Sequence, residues 1–272
     1  LKFEIGTLDT SRFQDAAKYA SYLKTPAGRL RSELAWKNLS HLLPDDVPER
    51  RALDLGGGTG FSSVQLARKN FGVVLLDGSE QMLQIARQQA EASEVATRIS
   101  FCHANANQLP ALFGPESFDV VVCHNLLEYT EDPSASVRNI ADVLRTGGML
   151  SVLVRNRTGE VLKDAIKSGN WKLATASLTA ETVADTLYGT PTRLFSPAEL
   201  RELFAQAGLD LVAEHGVRVF FDYLSAENST DAAYAEIFEL ESTLGARPEF
   251  FAIARYIQAI CRRSWPFSSK VA

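Results

Sequence analysis

The apolar positions change rhythm along the chain. From Asp15 to Leu23 and from Arg29 to Leu43 they recur at helical spacing, with Leu30, Leu34, Leu39 and Leu42 marking the second helix. Thr25-Pro26-Ala27-Gly28 is a turn between them, and Leu43-Pro44-Asp45-Asp46 ends the pair. From Arg51 onward, short continuous apolar runs alternate with amphipathic stretches. The runs Ala52–Leu55, Val73–Leu76, Ile99–Cys102, Phe118–Cys123 and Met149–Val154 read as strands. Helices are predicted after the first run, over Ser79–Ala92, and from Asp132-Pro133 to Gly147-Gly148, since Pro suits the first helical position. Strands that are apolar throughout, alternating with helices, indicate an α/β fold whose parallel sheet is covered on both faces.

Asn156–Arg193 interrupts the alternation. It is polar, carries Trp171, Lys163, Lys167 and Lys172, and reads as a partly helical insert after the fifth strand. The core resumes at Ser196-Pro197-Ala198-Glu199, a capping box, in a helix that stops at Gly208. Leu209–Glu214 and Val217–Phe221 read as β structure, Asp231–Leu244 as helix and Arg255–Cys261 as a last strand. An antiparallel insertion of that last strand suits the order.

Composition narrows the class. The 272 residues are 46% hydrophobic and 22% charged, near the globular average, which excludes a disordered or fibrous chain. No apolar run approaches the ~20 residues of a membrane span, and a net charge of −5 argues against a broad electropositive surface for nucleic acid. Cys102, Cys123 and Cys261 are scattered, as are His41, His103, His124 and His215. No zinc spacing appears, and reduced thiols in a cytoplasmic protein are the expectation, with no metal site. No signal peptide is visible, although the chain begins at Leu1 and a start methionine or short leader can be missing.

The sharpest chemical signal is Asp54-Leu55-Gly56-Gly57-Gly58-Thr59-Gly60, between a strand and a helix. Glycines there let the backbone approach a ligand at the carboxyl end of the sheet. A dinucleotide fingerprint needs a small residue where this chain has Phe61. An acidic Asp54 at the strand end repels a pyrophosphate and suits an α-ammonium, so a cofactor with an amino-acid moiety, S-adenosylmethionine, fits. Asp77 ends the second strand, where a carboxylate can accept from two ribose hydroxyls. It can also cap the next helix, a task open to Ser79. Met82, one turn on, can flank an adenine ring or serve as core. Ala106-Asn107 follow the third strand and can meet the adenine edge. His124 ends the fourth strand beside the expected methionine moiety, or is structural.

Taken together, Asp54 to Gly60, Asp77, the loop at Ala106, the strand ending at His124 and Leu144-Arg145-Thr146-Gly147-Gly148 resemble the class I S-adenosylmethionine-dependent methyltransferase family. Three flanking segments resemble one branch of it, the bacterial tRNA 5-carboxymethoxyuridine carboxyl-methyltransferases. They are Tyr22-x-x-Thr25-Pro26-x-Gly28-Arg29-Leu30-Arg31 with Trp36, the run from Gly216 to Leu224, and Glu239-Leu240-Glu241 to Ala254-Arg255-Tyr256-Ile257. The resemblance implies a three-layer Rossmann-like fold with a mostly parallel seven-stranded sheet and an antiparallel last strand. The whole of 1–272 is then one methyltransferase domain: a helical cap (1–49), a cofactor-binding core (50–155), an insert or lid (156–194) and the C-terminal part of the core (195–263). By the same match, Arg31, Gly56, Gly57, Asp77, Ala106, Asn107 and His124 fall at cofactor-contacting positions, with Arg31 over the methionine carboxylate; Asp54, Gly58 and Met82 join them from the residue reading above. The implied reaction is methylation of the carboxylate of 5-carboxymethoxyuridine at the tRNA wobble position to the methyl ester. Two segments depart from the branch: Val154-Arg155-Asn156-Arg157 keeps Asn156 alone, and the insert from Lys163 to Leu187 lacks a strongly basic run.

A carboxylate nucleophile has a reference pKa near ~4 and is ionised at neutral pH, so it needs no general base. Positioning is the main task, and Tyr22, Arg155, Arg218 and Tyr223 are the candidates to hold the acceptor. His124 is the base only if the nucleophile is instead a phenol, amine or thiol. The alternative to tRNA is a small-molecule O- or carboxyl-methyltransferase acting on a small carboxylic acid. The two separate on one test: Arg29, Lys37, Arg155, Arg157, Lys163, Lys167, Lys172 and Arg218 form a basic rim in the first case and no such cluster in the second.

Overall fold

The computed structural model describes residues 16–43, 49–184, 190–225, 227 and 229–265. Helix α1 (Ala16–Lys24) leads into α2 (Pro26–Ser40) through Thr25, whose Oγ1 accepts from the Gly28 amide while Pro26 opens the helix. Gly28 is demanded by packing, since a Cβ there would lie 2.2 Å from the Tyr22 carbonyl oxygen. The expected helix start at Asp15 and the break at Pro44-Asp45-Asp46 lie outside the described residues.

The core alternates as its apolar rhythm requires: β1 (Arg51–Leu55), α3 (Phe61–Arg68), β2 (Gly72–Asp77), α4 (Glu80–Ala92), β3 (Ile99–His103), the short α5 (Leu109–Leu112), β4 (Phe118–His124), α6 (Pro133–Val143) and β5 (Leu144–Arg155). The insert holds α7 (Arg157–Leu162), a π-helical turn over Lys163–Lys167, α8 (Trp171–Ser177) and a two-stranded ribbon of β6 (Thr182–Ala184) and β7 (Pro191–Arg193). Then follow α9 (Pro197–Gln206), β8 (Leu209–Val217), α10 (Tyr234–Gly245), α11 (Pro248–Phe251) and β9 (Tyr256–Arg263).

The main sheet has seven strands in the order β3-β2-β1-β4-β5-β9-β8. Every neighbour pair from β3 to β5 is parallel, and β9 lies antiparallel between β5 and β8. One apolar layer packs α5, α6 and α9 against the sheet through Leu109, Val137, Ile140, Leu200 and Phe204. The opposite layer uses Val64, Leu66, Leu83 and Ala86 of α3 and α4. The cap closes a third cluster, with Leu30 and Leu34 of α2 against Leu153, Val217, Ile237 and Tyr256. Among the described residues, no helix is long and apolar enough to cross a membrane.

Three boundaries differ from the sequence expectation. Helix α6 stops at Val143 rather than at Gly147-Gly148, and β5 runs through both glycines. Gly147 takes φ +77 and a Cβ on Gly148 would lie 2.9 Å from the Asp119 carbonyl oxygen, so the pair serves a β irregularity rather than a helix stop. The expected strand Val217–Phe221 ends at Val217, because Arg218 turns the chain with φ +64. The insert, expected to be partly helical, also contains the β6–β7 ribbon.

Candidate active site

The strand order reverses between β1 and β4, and a crevice opens there at their carboxyl ends. It encloses about 460 Å³, part of it open to solvent, and is lined by Tyr19, Arg31, Asp54, Gly56, Gly57, His124 and Asn125 among others. Gly56 and Gly57 both donate to the Leu76 carbonyl oxygen, at 2.8 and 3.2 Å, which stitches the loop to β2. A Cβ on Gly57 would meet the Asp54 carboxyl at 2.8 Å, and Gly56 and Gly58 have φ of +68 and +54. The loop is thus glycine so that a carboxylate can lie beneath it.

That carboxylate, Asp54, accepts from Ser63 Oγ at 2.7 Å. Burial pushes its pKa up to about 6 against the pull of the Ser63 hydrogen bonds. Asp77 lies across the loop, its two oxygens accepting from the Gly58 and Ser79 amides at 2.9 and 2.8 Å. Burial raises its pKa as well. Ser79 caps α4, its Oγ accepting from the Met82 amide, so Asp77 is not the cap. Two fixed carboxylates at the glycine cradle, with the buried Arg31 on the same crevice, fit a cofactor bearing an ammonium, a carboxylate and ribose hydroxyls.

His124 is held by a buried chain of hydrogen bonds. Asn38 donates to Gln258 Oε1 at 2.9 Å, and Gln258 Nε2 donates to the Ala35 carbonyl oxygen and to Ser151 Oγ. Ser151 Oγ lies 2.8 Å from His124 Nε2. Both Gln258 amide hydrogens are thus used within the chain, and Ser151 Oγ joins it to the imidazole. Burial, with Arg31 nearby, lowers the His124 pKa to about 3. A ring so weakly basic is a poor acceptor of a substrate proton near neutral pH, which argues against the conditional base role.

Beyond His124, at the β5–β9–β8 edge, the chemistry changes sign. Arg31 is buried, donates to Tyr19 Oη at 2.9 Å and stands 5.1 Å from the Tyr22 ring centroid. Arg218 pairs with both oxygens of Asp222 and donates to Tyr22 Oη at 2.9 Å. Arg255 and Lys163 converge on the buried Glu160, with Arg155 at 3.9 Å. Tyr256 stands among them, opposite Arg155 in the sheet register. Burial alone pushes its phenol up, but Arg218, Arg31, Arg155 and Arg255 together bring it down to about 8. This buried spot therefore favours negative charge. Tyr223 sits in the turn after Arg218, and burial pushes its phenol up to about 12.

The turn carrying Arg218 is clamped from behind. The fully buried Glu241 accepts from the Val219, Phe220 and Phe221 amides at 2.6 to 3.0 Å. Three amides converging on one carboxylate hold a non-glycine residue at positive φ. Asn156, with no exposed surface, donates to the Ala252 and Ala254 carbonyl oxygens and so fastens the insert beside β9.

Of the sequence candidates, Arg31, Asp54, Gly56, Gly57 and His124 meet in the crevice, while Gly58 and Asp77 are hydrogen-bonded to each other at the same loop. Met82 is buried on α4, and neither it nor Ala106 and Asn107, in the turn after β3, line the crevice. Tyr22, Arg155, Arg218 and Tyr223 gather at the arginine cluster. Sequence reasoning missed Tyr19, Tyr256, Arg255 and Glu160 as members. The antiparallel insertion of β9 puts its first residues beside the last ones of β5, and that signal points to Arg255-Tyr256.

The basic rim is largely neutralised. Arg29 faces Glu33 and Asp231, Lys37 faces Glu239, and Arg157 faces Glu199. Arg155, Lys163 and Arg218 have the carboxylate neighbours named above. Lys167 and Lys172 stand exposed on the insert.

Comparison with known proteins follows this geometry. Residues 46–208 match the family described as methyltransferase domain. The chain is similar to the tRNA 5-carboxymethoxyuridine methyltransferase of Escherichia coli (strain K12), 30% identical over 88% of this chain and 90% of that protein. It is also similar to the ubiquinone biosynthesis O-methyltransferase of Neisseria meningitidis serogroup C, 29% identical over 70% of this chain and 76% of that one. In fold it is similar to an S-adenosylmethionine-dependent methyltransferase from Thermotoga maritima, with a TM-score of 0.60 at 17% identity, covering 91% of this chain and 96% of the other.

Proposed function

The chain belongs to the S-adenosylmethionine-dependent methyltransferases, and from that premise we propose that it converts the carboxylate of 5-carboxymethoxyuridine in tRNA to its methyl ester. One observation carries this reading: Arg31 and Arg218 stand 5.7 and 5.5 Å from the centroid of the buried Tyr256 ring, with Arg155 opposite it in the sheet and Arg255 preceding it in the chain. The acceptor end of the crevice is built to receive an anion. The similarity to the Escherichia coli enzyme, spanning nearly all of both chains, supports the nucleoside as the source of that anion.

When bound, S-adenosylmethionine supplies a methyl group on a positively charged sulfur. We assign Asp77 to the ribose hydroxyls and Asp54 to the ammonium. Arg31 takes the methionine carboxylate, where a buried guanidinium makes a charge-assisted pair. His124 faces the crevice beside Arg31. Arg218 and Arg155, with Tyr22 and Tyr223, orient the acceptor carboxylate. That group is ionised near ~4 and needs no proton removed. The chain's contribution is alignment of the two reactants, which alone removes a large part of such a barrier.

A second reading, a small carboxylic acid, is favoured by the paired rim cations and by the similarity to an enzyme of ubiquinone biosynthesis. Nucleoside digests of tRNA from cells with and without the gene separate the two. Loss of the methyl ester from the gene-deleted cells is expected; an unchanged ester overturns the tRNA reading.

A further inference from the structure

The outer face of the insert is sorted by charge and polarity in a way the cofactor and acceptor sites do not use. Between Arg157 and Ala180 the acidic residues are Glu160 and Asp164. Both are buried, Glu160 against Arg255 and Lys163, Asp164 accepting from Ser177 Oγ at 2.9 Å. The face turned to solvent is therefore free of acid in a chain whose net charge is −5. Every residue from Ile166 to Leu173 is exposed, Lys167 and Lys172 among them. Trp171 is 70% exposed, with Ile166, Leu173 and Leu178 also open to solvent. Soluble proteins seldom leave a large aromatic and its apolar neighbours uncovered without use.

The face is rigidly tied to the acceptor end. The π-helical turn that begins it packs on Phe221–Tyr223, the turn after Arg218. Asn170 caps α8 through its Oδ1, which accepts from the Leu173 amide at 3.0 Å, so Trp171 is held at the first position of a helix. An uncovered indole between two lysines, beside a site for one nucleotide, has the make-up of a platform for single-stranded nucleic acid, where bases stack and phosphates meet ammonium groups.

We propose that Trp171, with Lys167 and Lys172, stacks a base flanking the modified nucleotide in the anticodon loop. This contact supplies the RNA grip that the paired rim cations do not. The proposal rests on the tRNA reading. The test uses the full chain, an anticodon stem-loop carrying 5-carboxymethoxyuridine, and the free nucleoside as a second acceptor.

Trp171→Ala is expected to raise KM for the stem-loop about tenfold, the scale of one lost base–aromatic stack. KM for the nucleoside and the affinity for S-adenosylmethionine stay unchanged, and Trp171→Phe recovers most of the loss. Lys167→Glu with Lys172→Glu lowers the salt dependence of stem-loop binding by about one to two phosphate contacts. An unchanged stem-loop KM in Trp171→Ala overturns the platform while leaving the tRNA reading intact. An equal loss on stem-loop and nucleoside overturns it too, by showing a disturbed acceptor site. Failure of the wild-type chain to methylate the stem-loop while methylating a small carboxylic acid overturns the tRNA reading, and the platform with it.

Discussion

The glycine-loop side of the crevice and the arginine cluster beyond it, which meet at Arg31, differ in charge and in how that charge is set. On the β1–β2 side, Asp54 and Asp77 are carboxylates pushed up by burial. On the β5–β9 side, guanidiniums dominate strongly enough to pull a buried phenol down. One half asks for a cation and hydroxyl donors, the other for an anion. A methyl transfer from a positively charged donor to a carboxylate has this polarity along its axis.

The strongest way to break the contrast is at its acidic end. Asp77→Ala removes a carboxylate already aimed by two amides. Calorimetry is expected to show S-adenosylmethionine affinity falling by about a hundredfold, the scale of two hydrogen bonds to a charged group. Normal affinity in a folded variant would remove the acidic half from the cofactor site. The next test sits at the basic end. Arg218→Lys keeps the charge but loses the fork that holds Asp222 and Tyr22 together. KM for the acceptor is expected to rise about tenfold with cofactor affinity unchanged, and a loss shared by both ligands would erase the division between the halves.

The smallest effect is also the most diagnostic. Asp54 titrates near about 6 in the protein, above its unfolded value near ~3.9. The folded state therefore binds more protons between these values, and this group's contribution to stability falls as pH rises through that window. Cofactor affinity runs the other way, because only the ionised carboxylate attracts an ammonium. A melting temperature slightly higher at pH 4.5 than at pH 6.5, together with a cofactor Kd that weakens a few-fold below pH 6, is expected if other carboxylates are held constant by comparison with Asp54→Asn. With cofactor saturating, the rate on a carboxylate acceptor stays flat between about pH 6.5 and 7.5, since burial holds His124 down at about 3; a rate inflection near pH 6.5 would restore it as a base.

The acidic half was far more legible in the sequence than the basic half. Asp54, the glycines and Asp77 are local: a strand end, a tight turn and the next strand end fix them within one βαβ unit, so spacing alone locates them. The basic half is assembled from α1, α2, β5, the insert, the turn after β8 and the start of β9. No local pattern links Tyr22 to Arg218, and their meeting depends on the antiparallel entry of β9. The parallel sheet itself was readable from continuous apolar strands. The end of α6 was misread because Gly147-Gly148 looks the same in sequence whether it stops a helix or relaxes a strand.

The left-handed turn at Arg218 separates two duties that one residue usually combines. The guanidinium holds Asp222 and Tyr22, but its direction comes from a backbone conformation that Glu241 braces from the far side of the turn. Aim and grip are thus encoded at different positions. A substitution at Glu241 on α10 therefore changes where the guanidinium lies without changing its charge.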